Sequence, residues 1–294
     1  MKSAGNLYDQ NAMGLKNTLY AASIIFIFIC FSYILFNFLN MSVYLISLCS
    51  IAILINFIIT AKKEKSKPSR IKQYVGILLI IMTIPFWIIY NQIFSTFMLF
   101  AQQNLNLTVL SVKLEPGNIL FFDIIGVLIV SPIIVKLYKS LEKIRINLSI
   151  IDKFTIGQIC TGASVLTLAL ACSIFGKSGN ISVLWMAPVF ILFTIGEVLI
   201  SALGLAMISL YFPNKVIGYA MGTWFLALAI GGILTGKIAS LFIAIPQKIT
   251  QMESMHMYIK YFLQLGVYAL LIGLGYIIIS IFIKRKTKNI MILP

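Results

Sequence analysis

The sequence predicts an all-α integral membrane protein that crosses the bilayer about eight times. Hydrophobic residues make up 60% of the 294 positions, charged residues only 11%, and the mean hydropathy is +1.01. A soluble domain is usually about 45–50% apolar and about 25% charged, so this composition excludes an ordinary water-soluble fold. The net charge of +15 would suggest nucleic acid binding in a soluble protein. Here the basic residues lie beside apolar runs, which indicates membrane topology instead.

Eight apolar runs are long enough to cross a bilayer, which takes roughly 20 helical residues. About four residues separate the first two runs, which predicts a tight antiparallel hairpin over 18–61. The other six predict a second bundle over 73–283. In order, the runs are Thr18–Phe38, Val43–Thr60, Gln73–Phe97, Asn118–Tyr138, Phe154–Ile174, Leu184–Leu210, Val216–Ile245 and Tyr258–Ile283.

The basic residues predict the orientation of the chain. Eight spans place the segment 1–17, the linker 62–72, the loop 139–153 and the tail 284–294 on one side of the membrane. Together with Lys215, between the sixth and seventh spans, seventeen of the 23 Lys and Arg residues then lie on that side, and three lie in the opposite loops. We therefore expect a multi-pass protein of the inner (cytoplasmic) membrane with both termini in the cytoplasm. A specific anionic-lipid site is the alternative interpretation of the basic runs.

Two carboxylates lie within the predicted spans, where an acid is costly and a functional role is the default hypothesis. Asp123 lies early in the fourth span, and Glu197 lies near the middle of the sixth. Because desolvation favours the neutral form of a carboxyl group, each could bind and release a proton, as a proton-coupled site requires. The structural alternative is a buried acid held by a neighbouring hydroxyl or lysine.

Polar side chains gather in the third span. Trp87, Asn91 and Ser95 are four positions apart and share one helical face, which Tyr90 and Gln92 flank. A polar face in lipid must contact protein or a water-filled cavity. Hydrogen bonding between helices is the alternative to a cavity.

Small residues and prolines predict how some spans pack and bend. Gly232 and Gly236 form a small-xxx-small pair in the seventh span, and Gly222, Ala229 and Gly231 extend its small-residue content, which favours close helix packing. Pro85 and Pro132 lie inside spans and are expected to kink them.

The sequence offers little to an enzyme. Its one histidine is His256, and no HExxH, GxSxG or GxxxxGK[ST] pattern is present. We therefore expect neither a catalytic triad nor a metal site, no cofactor, and no enzymatic activity.

Several motifs resemble, in order and spacing, the proton-dependent oligopeptide transporters, a branch of the major facilitator superfamily. The stretch Gly196–Leu205 is similar to the tenth core helix of that family, and Met221–Leu226 with the glycines to Gly236 is similar to the eleventh. Further similarities to core helices seven and eight lie in Phe86-Trp87, Gln92, Phe100-Ala101, and Asp123 nine residues before Pro132. The resemblance runs from about residue 73 to the C-terminus. The first two spans resemble the extra hairpin that bacterial members carry between their six-helix halves.

The resemblance implies a substrate site. Glu197 matches the acid that engages the amino end of a peptide, and Ser201 matches a residue beside the pocket. Asp123 stands where many members have an asparagine that contacts the peptide backbone. The aromatic residues that match the wall of the central cavity are Trp87, Trp224 and Phe225.

The chain departs from the family pattern in helix seven. Asn91 stands where many members have a glutamate tied to proton coupling, Gln102 stands where an acid often closes a gate, and Ala202 replaces a frequent proline. We hypothesise that Asp123 supplies the lost carboxylate from the adjacent helix, so that Asp123 and Glu197 are the candidates for proton coupling. Asn91 is kept as a candidate for substrate binding.

The resemblance implies proton-coupled transport of di- and tripeptides by the C-terminal six-helix half of such a transporter. The amino-terminal half has no counterpart in this sequence, although the substrate site of the superfamily lies between the halves. The expected partners are peptides, protons, membrane lipid and a separately encoded amino-terminal half, with no nucleic acid. The alternative is a truncated, non-transporting membrane fragment or an interaction partner of that separate half.

Overall fold

A computed structural model describes residues 15–145, 148–242 and 249–287, and it confirms the all-α membrane fold. The chain divides into two compact units, one ending at Ile51 and the other beginning at Ala52. Most of the predicted N-terminal segment (1–17) and of the predicted basic tail (284–294) lies outside the described residues.

Seven helical stretches in the described chain are long and apolar enough to cross a membrane, and Thr18–Ile34 is a shorter apolar stretch. Six of the seven follow the basic linker, as predicted. The helices are α1 (Leu15–Asn37), α2 (Leu39–Lys62), α3 (Lys67–Met82), α4 (Ile84–Gln92), α5 (Thr96–Asn104), α6 (Leu120–Lys143), α7 (Ile150–Phe175), α8 (Met186–Glu197), α9 (Leu203–Tyr211), α10 (Ile217–Phe242) and α11 (Gln251–Thr287).

The connection between the first two helices is shorter than predicted. We expected about four linking residues, but only Phe38 separates α1 from α2. The Phe38 amide still donates to the carbonyl of Ile34 at 3.0 Å, so the helical hydrogen-bond pattern continues through the last turn of α1. Residues 39–42, which hydropathy assigned to a turn, are helical in the structure, and their backbone groups can bond within the helix. The antiparallel hairpin itself stays a prediction.

The third predicted span consists of three helices, α3, α4 and α5. The first break lies at Thr83, because Pro85 has no N–H to donate to the preceding turn. The Thr83 hydroxyl donates to the carbonyl of Ile80 at 2.7 Å, and the Tyr276 hydroxyl on α11 donates to the carbonyl of Met82 at 2.6 Å. Side-chain hydroxyls therefore donate hydrogen bonds to backbone carbonyls at this break beside Pro85. Backbone polar groups in lipid need such partners within the protein.

Helices α7 and α11 pack closely at glycines. A Cβ on Gly266 would lie 2.7 Å from the Leu166 side chain, and a Cβ on Gly273 would lie 2.7 Å from the Ile159 side chain. Small residues let two helix backbones approach in a membrane, where van der Waals packing replaces the hydrophobic effect between helices. Helix α7 packs against α11 in this way and also contacts α8.

Short strands connect the helices at the end of the bundle where α5 finishes. Asn104 ties this region together, because its side-chain amide donates to the carbonyls of Gly179 at 2.7 Å and Gln251 at 3.0 Å. The strands are β1 (Leu105–Asn106), β2 (Thr108–Val109), β3 (Val112–Lys113) and β4 (Ile181–Ser182), with β1 parallel to β4 and β2 antiparallel to β3.

At the opposite end, Asp152 connects α7 to α11. Its carboxylate accepts hydrogen bonds from the Ser149 amide at 3.0 Å and from the Ser280 hydroxyl at 2.8 Å, and it forms an ion pair with Lys284.

The Asp152→Asn variant is expected to lose about 1–2 kcal/mol of unfolding free energy, since it weakens the helix cap and a partly exposed ion pair. Thermal unfolding in detergent measures the loss. The exposed Glu142 provides the matched control Glu142→Gln, and equal melting of the two variants would contradict this role.

Candidate functional site

The two acids that the sequence placed in different spans meet in the fold. Glu197 ends α8, and Asp123 lies on the first turn of α6. Both the Asp123 carboxyl group and the Tyr90 hydroxyl, from α4, face the Glu197 carboxyl group closely enough to interact with it electrostatically. The acid cluster, defined as Tyr90, Asp123 and Glu197, therefore joins three helices.

Glycine and threonine bring α6 onto α8 beside the cluster. A Cβ on Gly126 would lie 2.5 Å from Oγ1 of Thr194, so only glycine permits this approach. One turn before Gly126, the Asp123 carboxylate accepts a hydrogen bond from the Thr194 hydroxyl at 3.4 Å. The position of Asp123 thus depends on the close contact one turn further along α6.

A second glycine sets α8 against α7. A Cβ on Gly196 would lie 2.1 Å from Oγ1 of Thr161 and 2.7 Å from the carbonyl oxygen of Gly157. Because successive residues of a helix point about 100° apart, Glu197 projects away from the α7 contact that Gly196 makes. Within this sequence motif, Gly196 therefore packs against α7, and Glu197 belongs to the site.

The helix widens directly after Glu197. Residues Val198–Ala202 form a π-helical turn between α8 and α9, and Ser201 lies within it. Single π turns inside α-helices are frequent at functional sites, because the extra residue redirects the side chains around it. The sequence contained no signal for this turn.

Aromatic rings form a wall next to the acid cluster. The Trp87 ring lies 5.4 Å from the Tyr90 ring and 6.1 Å from the Trp224 ring, with both pairs edge to face. The Tyr90 ring also lies 5.9 Å from that of Phe193 on α8. Trp224 packs over Gly204 so tightly that a Cβ there would lie 1.9 Å from the indole. The structure thus brings Trp87 and Trp224 into contact, and their role in a substrate cavity stays a prediction.

Two polar atoms at the site have no hydrogen-bond partner in the described parts of the chain. They are Oε2 of Glu197, an acceptor, and Nε1 of Trp87, a donor. Among those same residues, the ion pair is that of Asp152 with Lys284, so neither acid of the cluster is paired with a lysine or arginine. Buried polar groups without partners favour binding of an external group. Two adjacent acids without a basic partner favour a cation or a proton.

The other predicted site residues lie outside this contact. The Asn91 amide donates to the carbonyl of Trp87 at 2.7 Å, within its own helix. Phe225 is 58% exposed, although its neighbour Trp224 is buried. The expected single face through Ser95 is wrong, because α4 ends at Gln92. Ser95 nevertheless donates to the carbonyl of Asn91 at 3.1 Å.

The small-residue contact of α10 lies one position from the predicted pair. A Cβ on Gly231 would lie 2.4 Å from the Trp87 Cβ, whereas a Cβ on Gly232 would be 3.8 Å from the nearest atom, in Asn91. Within the described residues, nothing lies within 4 Å of a Cβ on Gly236. The Thr235 hydroxyl donates to the carbonyl of Ile88 at 2.8 Å. Close packing on α10 is confirmed, but its residues are Gly231 and Thr235, since these face α4.

Sequence reasoning missed three residues at the site. Tyr90 was noted only as a residue beside the polar face, and Thr194 and Phe193 were not singled out. The signal available for Tyr90 was a phenol in an apolar span, which must find a polar partner when buried. Thr194 precedes Glu197 by three positions and so shares its helix face, which would have been a usable clue.

Comparison with known proteins shows which sequences and structures this chain is similar to. The family model described as POT family matches residues 7–255. The "Dipeptide and tripeptide permease A" of Erwinia pyrifoliae is 30% identical over 241 residues, which cover 82% of this chain and 48% of the relative. The protein of the same name from Klebsiella pneumoniae is 32% identical over 222 residues, covering 75% of this chain and 44% of the relative. This chain therefore spans about half the length of the curated relatives it matches. These relatives are named as permeases, which confirms the expectation that the chain is not an enzyme.

Solved structures share the fold. A crystal structure of tetrameric PepTSo2 superimposes with a TM-score of 0.76 at 22% identity, covering 95% of this chain and 57% of that one. A crystal structure of peptide transporter POT in complex with sulfate gives a TM-score of 0.71 at 21% identity, covering 95% and 56%. The predicted fold class is confirmed by these similarities.

Proposed function

This chain belongs to the POT family, and from that premise we propose that it forms the carboxy-terminal part of a proton-coupled transporter of di- and tripeptides. It is a multi-pass membrane protein whose curated relatives are named as permeases of such peptides. The basic linker 62–72 supports a location in the inner membrane with both termini in the cytoplasm.

The observation that carries the proposal is the acid cluster beside the aromatic wall. The unpartnered Oε2 of Glu197 is an acceptor for the cationic amino end of a peptide, and the Trp87 indole N–H is a donor for a carbonyl. The rings of Trp87 and Trp224 provide apolar surface for varied side chains. Such a site would recognise the charged amino end and the backbone of a peptide and would contact its side chains through an apolar surface. These features suit a transporter that accepts many different peptides.

Asp123 supports the proposal of coupling to protons. Where many family members carry a glutamate on helix seven, this chain has Asn91, and where they carry an asparagine on helix eight it has Asp123. We infer that Asp123 on α6 takes the place of that carboxylate. Because Asp123 faces Glu197, a proton on one acid changes the charge available to a substrate amine at the other.

The transport pathway requires more protein than this half. Helices α6 and α10 contribute Asp123 and Trp224 to the site, yet they carry apolar residues such as Leu128 and Phe225 that are 71% and 58% exposed. We propose that these faces meet the amino-terminal half, carried on the same polypeptide or encoded separately. Access to the site would then alternate as the two halves rock against each other.

Uptake of a radiolabelled dipeptide into membrane vesicles, driven by an imposed pH gradient, tests the proposal. The chain is expressed alone and together with the amino-terminal half of a relative named as a dipeptide and tripeptide permease. We expect gradient-dependent uptake only when both halves are present. Absence of uptake in both preparations would contradict transport and favour the second candidate, a non-transporting membrane fragment that binds the separate half.

The Asp123→Asn variant of the assembled transporter is expected to lose at least about tenfold of its pH-driven accumulation, because one of two interacting carboxylates is removed. Exchange of labelled for unlabelled peptide without a gradient should persist, since Glu197 remains. Adding Asn91→Glu to this variant returns a carboxylate to helix seven and should restore accumulation. Unchanged accumulation in Asp123→Asn would exclude Asp123 from coupling.

A further inference from the structure

The acid cluster can carry more negative charge than one peptide amine balances. Glu197 and Asp123 face each other, and within the described residues neither forms an ion pair with a lysine or arginine. Two carboxyl groups this close do not both stay ionised without two positive charges nearby, because like charges repel strongly in a partly desolvated site. The α-amine of a bound peptide supplies one positive charge at Glu197. A second positive charge is therefore needed to keep Asp123 ionised as well.

Asp123 is available to a ligand. Its side chain and that of Glu197 are half-buried rather than enclosed, so each presents surface that a ligand can contact. The Thr194 hydroxyl donates to Oδ1 of Asp123 at 3.4 Å. A neutral hydroxyl orients the carboxylate without neutralising its charge, so Asp123 keeps its attraction for a cation.

The aromatic rings beside the acids favour an organic cation as the source of the second charge. The ring centres of Trp87 and Tyr90 lie 5.4 Å apart, edge to face. The Trp87 side chain is 4% exposed, and its Nε1 has no hydrogen-bond partner in residues 15–145, 148–242 and 249–287. Aromatic faces attract ammonium and guanidinium groups, and the methylene stem of a basic side chain packs on apolar surface. The site is therefore complementary to a basic side chain of the substrate.

The place of that side chain in the peptide follows from the place of the α-amine. When the amine lies at Glu197, the side chain of the first residue leaves from the same carbon atom that carries the amine. The second side chain starts one residue further along the peptide, where the Cα atom is about 3.8 Å away. Because Asp123 interacts directly with Glu197, the first side chain is the one that reaches it.

We propose that Asp123 is a specificity-determining residue that selects peptides whose first residue is lysine or arginine. The side-chain cation pairs with Asp123 while the α-amine pairs with Glu197, so two positive charges meet two carboxylates. A peptide with a neutral first residue leaves Asp123 to bind a proton, as the proposed coupling requires. This inference rests on the proposed transport of peptides and adds a substrate class at the same site.

Three unlabelled dipeptides test the inference by competing with labelled Ala-Ala in the assembled transporter. Lys-Ala carries the cation on the first residue, norleucyl-Ala has nearly the same shape without the charge, and Ala-Lys carries the same charge on the second residue. Exchange of labelled for unlabelled peptide is measured without a gradient, so that coupling to protons does not enter the comparison. We expect Lys-Ala to reach half-inhibition at a concentration at least about tenfold lower than either of the other two.

In the Asp123→Asn variant the three dipeptides should inhibit at similar concentrations, because the amide carries no charge. Glu142→Gln changes an exposed acid near the end of α6 and should keep the tenfold preference. Equal inhibition by the three dipeptides in the natural assembly would overturn the inference, whatever the activity of the variant, and would leave peptide transport intact. A preference for Lys-Ala that persists in Asp123→Asn would overturn it too. If labelled Ala-Ala is not exchanged at all, the proposed function fails, and this inference fails with it.

Discussion

Replacing Glu197 with glutamine is expected to reduce peptide uptake by the assembled transporter at least about a hundredfold. Removing one partner of a buried charge pair costs about 3–5 kcal/mol, and about 1.4 kcal/mol corresponds to a factor of ten. Glutamine has almost the same shape, so the packing of Gly196 on α7 is retained. The amide can neither pair with a peptide amine as a charge nor exchange a proton with Asp123.

Uptake is measured in the vesicle assay, and a control variant is measured in the same assay. Glu142→Gln makes the same chemical change at an exposed position near the end of α6 and should leave uptake unchanged. Both variants should elute as the natural protein does in size-exclusion chromatography. Uptake by Glu197→Gln at the natural rate would remove Glu197 from the substrate site, and with it the charge-based account of peptide binding.

Replacing Gly231 with leucine is expected to destabilise the helical bundle by about 3 kcal/mol or more, the upper part of the usual range for overpacking. The added Cβ would lie 2.4 Å from the Trp87 Cβ and 3.0 Å from the Trp87 carbonyl carbon. Because backbone atoms are involved, a change of rotamer cannot relieve the clash, and α10 must move away from α4. The hydrogen bond from Thr235 to the carbonyl of Ile88 would lengthen, and the contact of Trp87 with Trp224 would loosen.

Unfolding of the purified chain in detergent, followed by temperature, measures this effect. Gly236→Leu is the matched control on the same helix. Among the described residues, no atom lies within 4 Å of a Cβ at Gly236, so its stability should change by less than about 0.5 kcal/mol. Equal stability of the two variants would show that the α4–α10 contact does not hold the bundle together.

The individual acids of the site were predictable, but their meeting was not. Asp123 and Glu197 were noticed because a carboxylate inside an apolar span is costly. Their separation along the sequence gives no distance in space, which depends on α6 approaching α8 at Gly126. Tyr90 was placed only beside the polar face of its span, and its contact with the acids became clear only when α4 placed it opposite Glu197.

The sequence by itself determined the membrane location, the six helical spans after the linker and the two acids within them. These properties follow from local hydrophobicity and backbone hydrogen bonding, which a helix satisfies within one segment. Only the tertiary structure decided that Gly231 rather than Gly236 meets α4 and that a π turn follows Glu197. Hydropathy does not specify which face of each helix meets a neighbour, because lipid and protein interior are similarly apolar. That choice depends on close side-chain packing between helices distant in sequence.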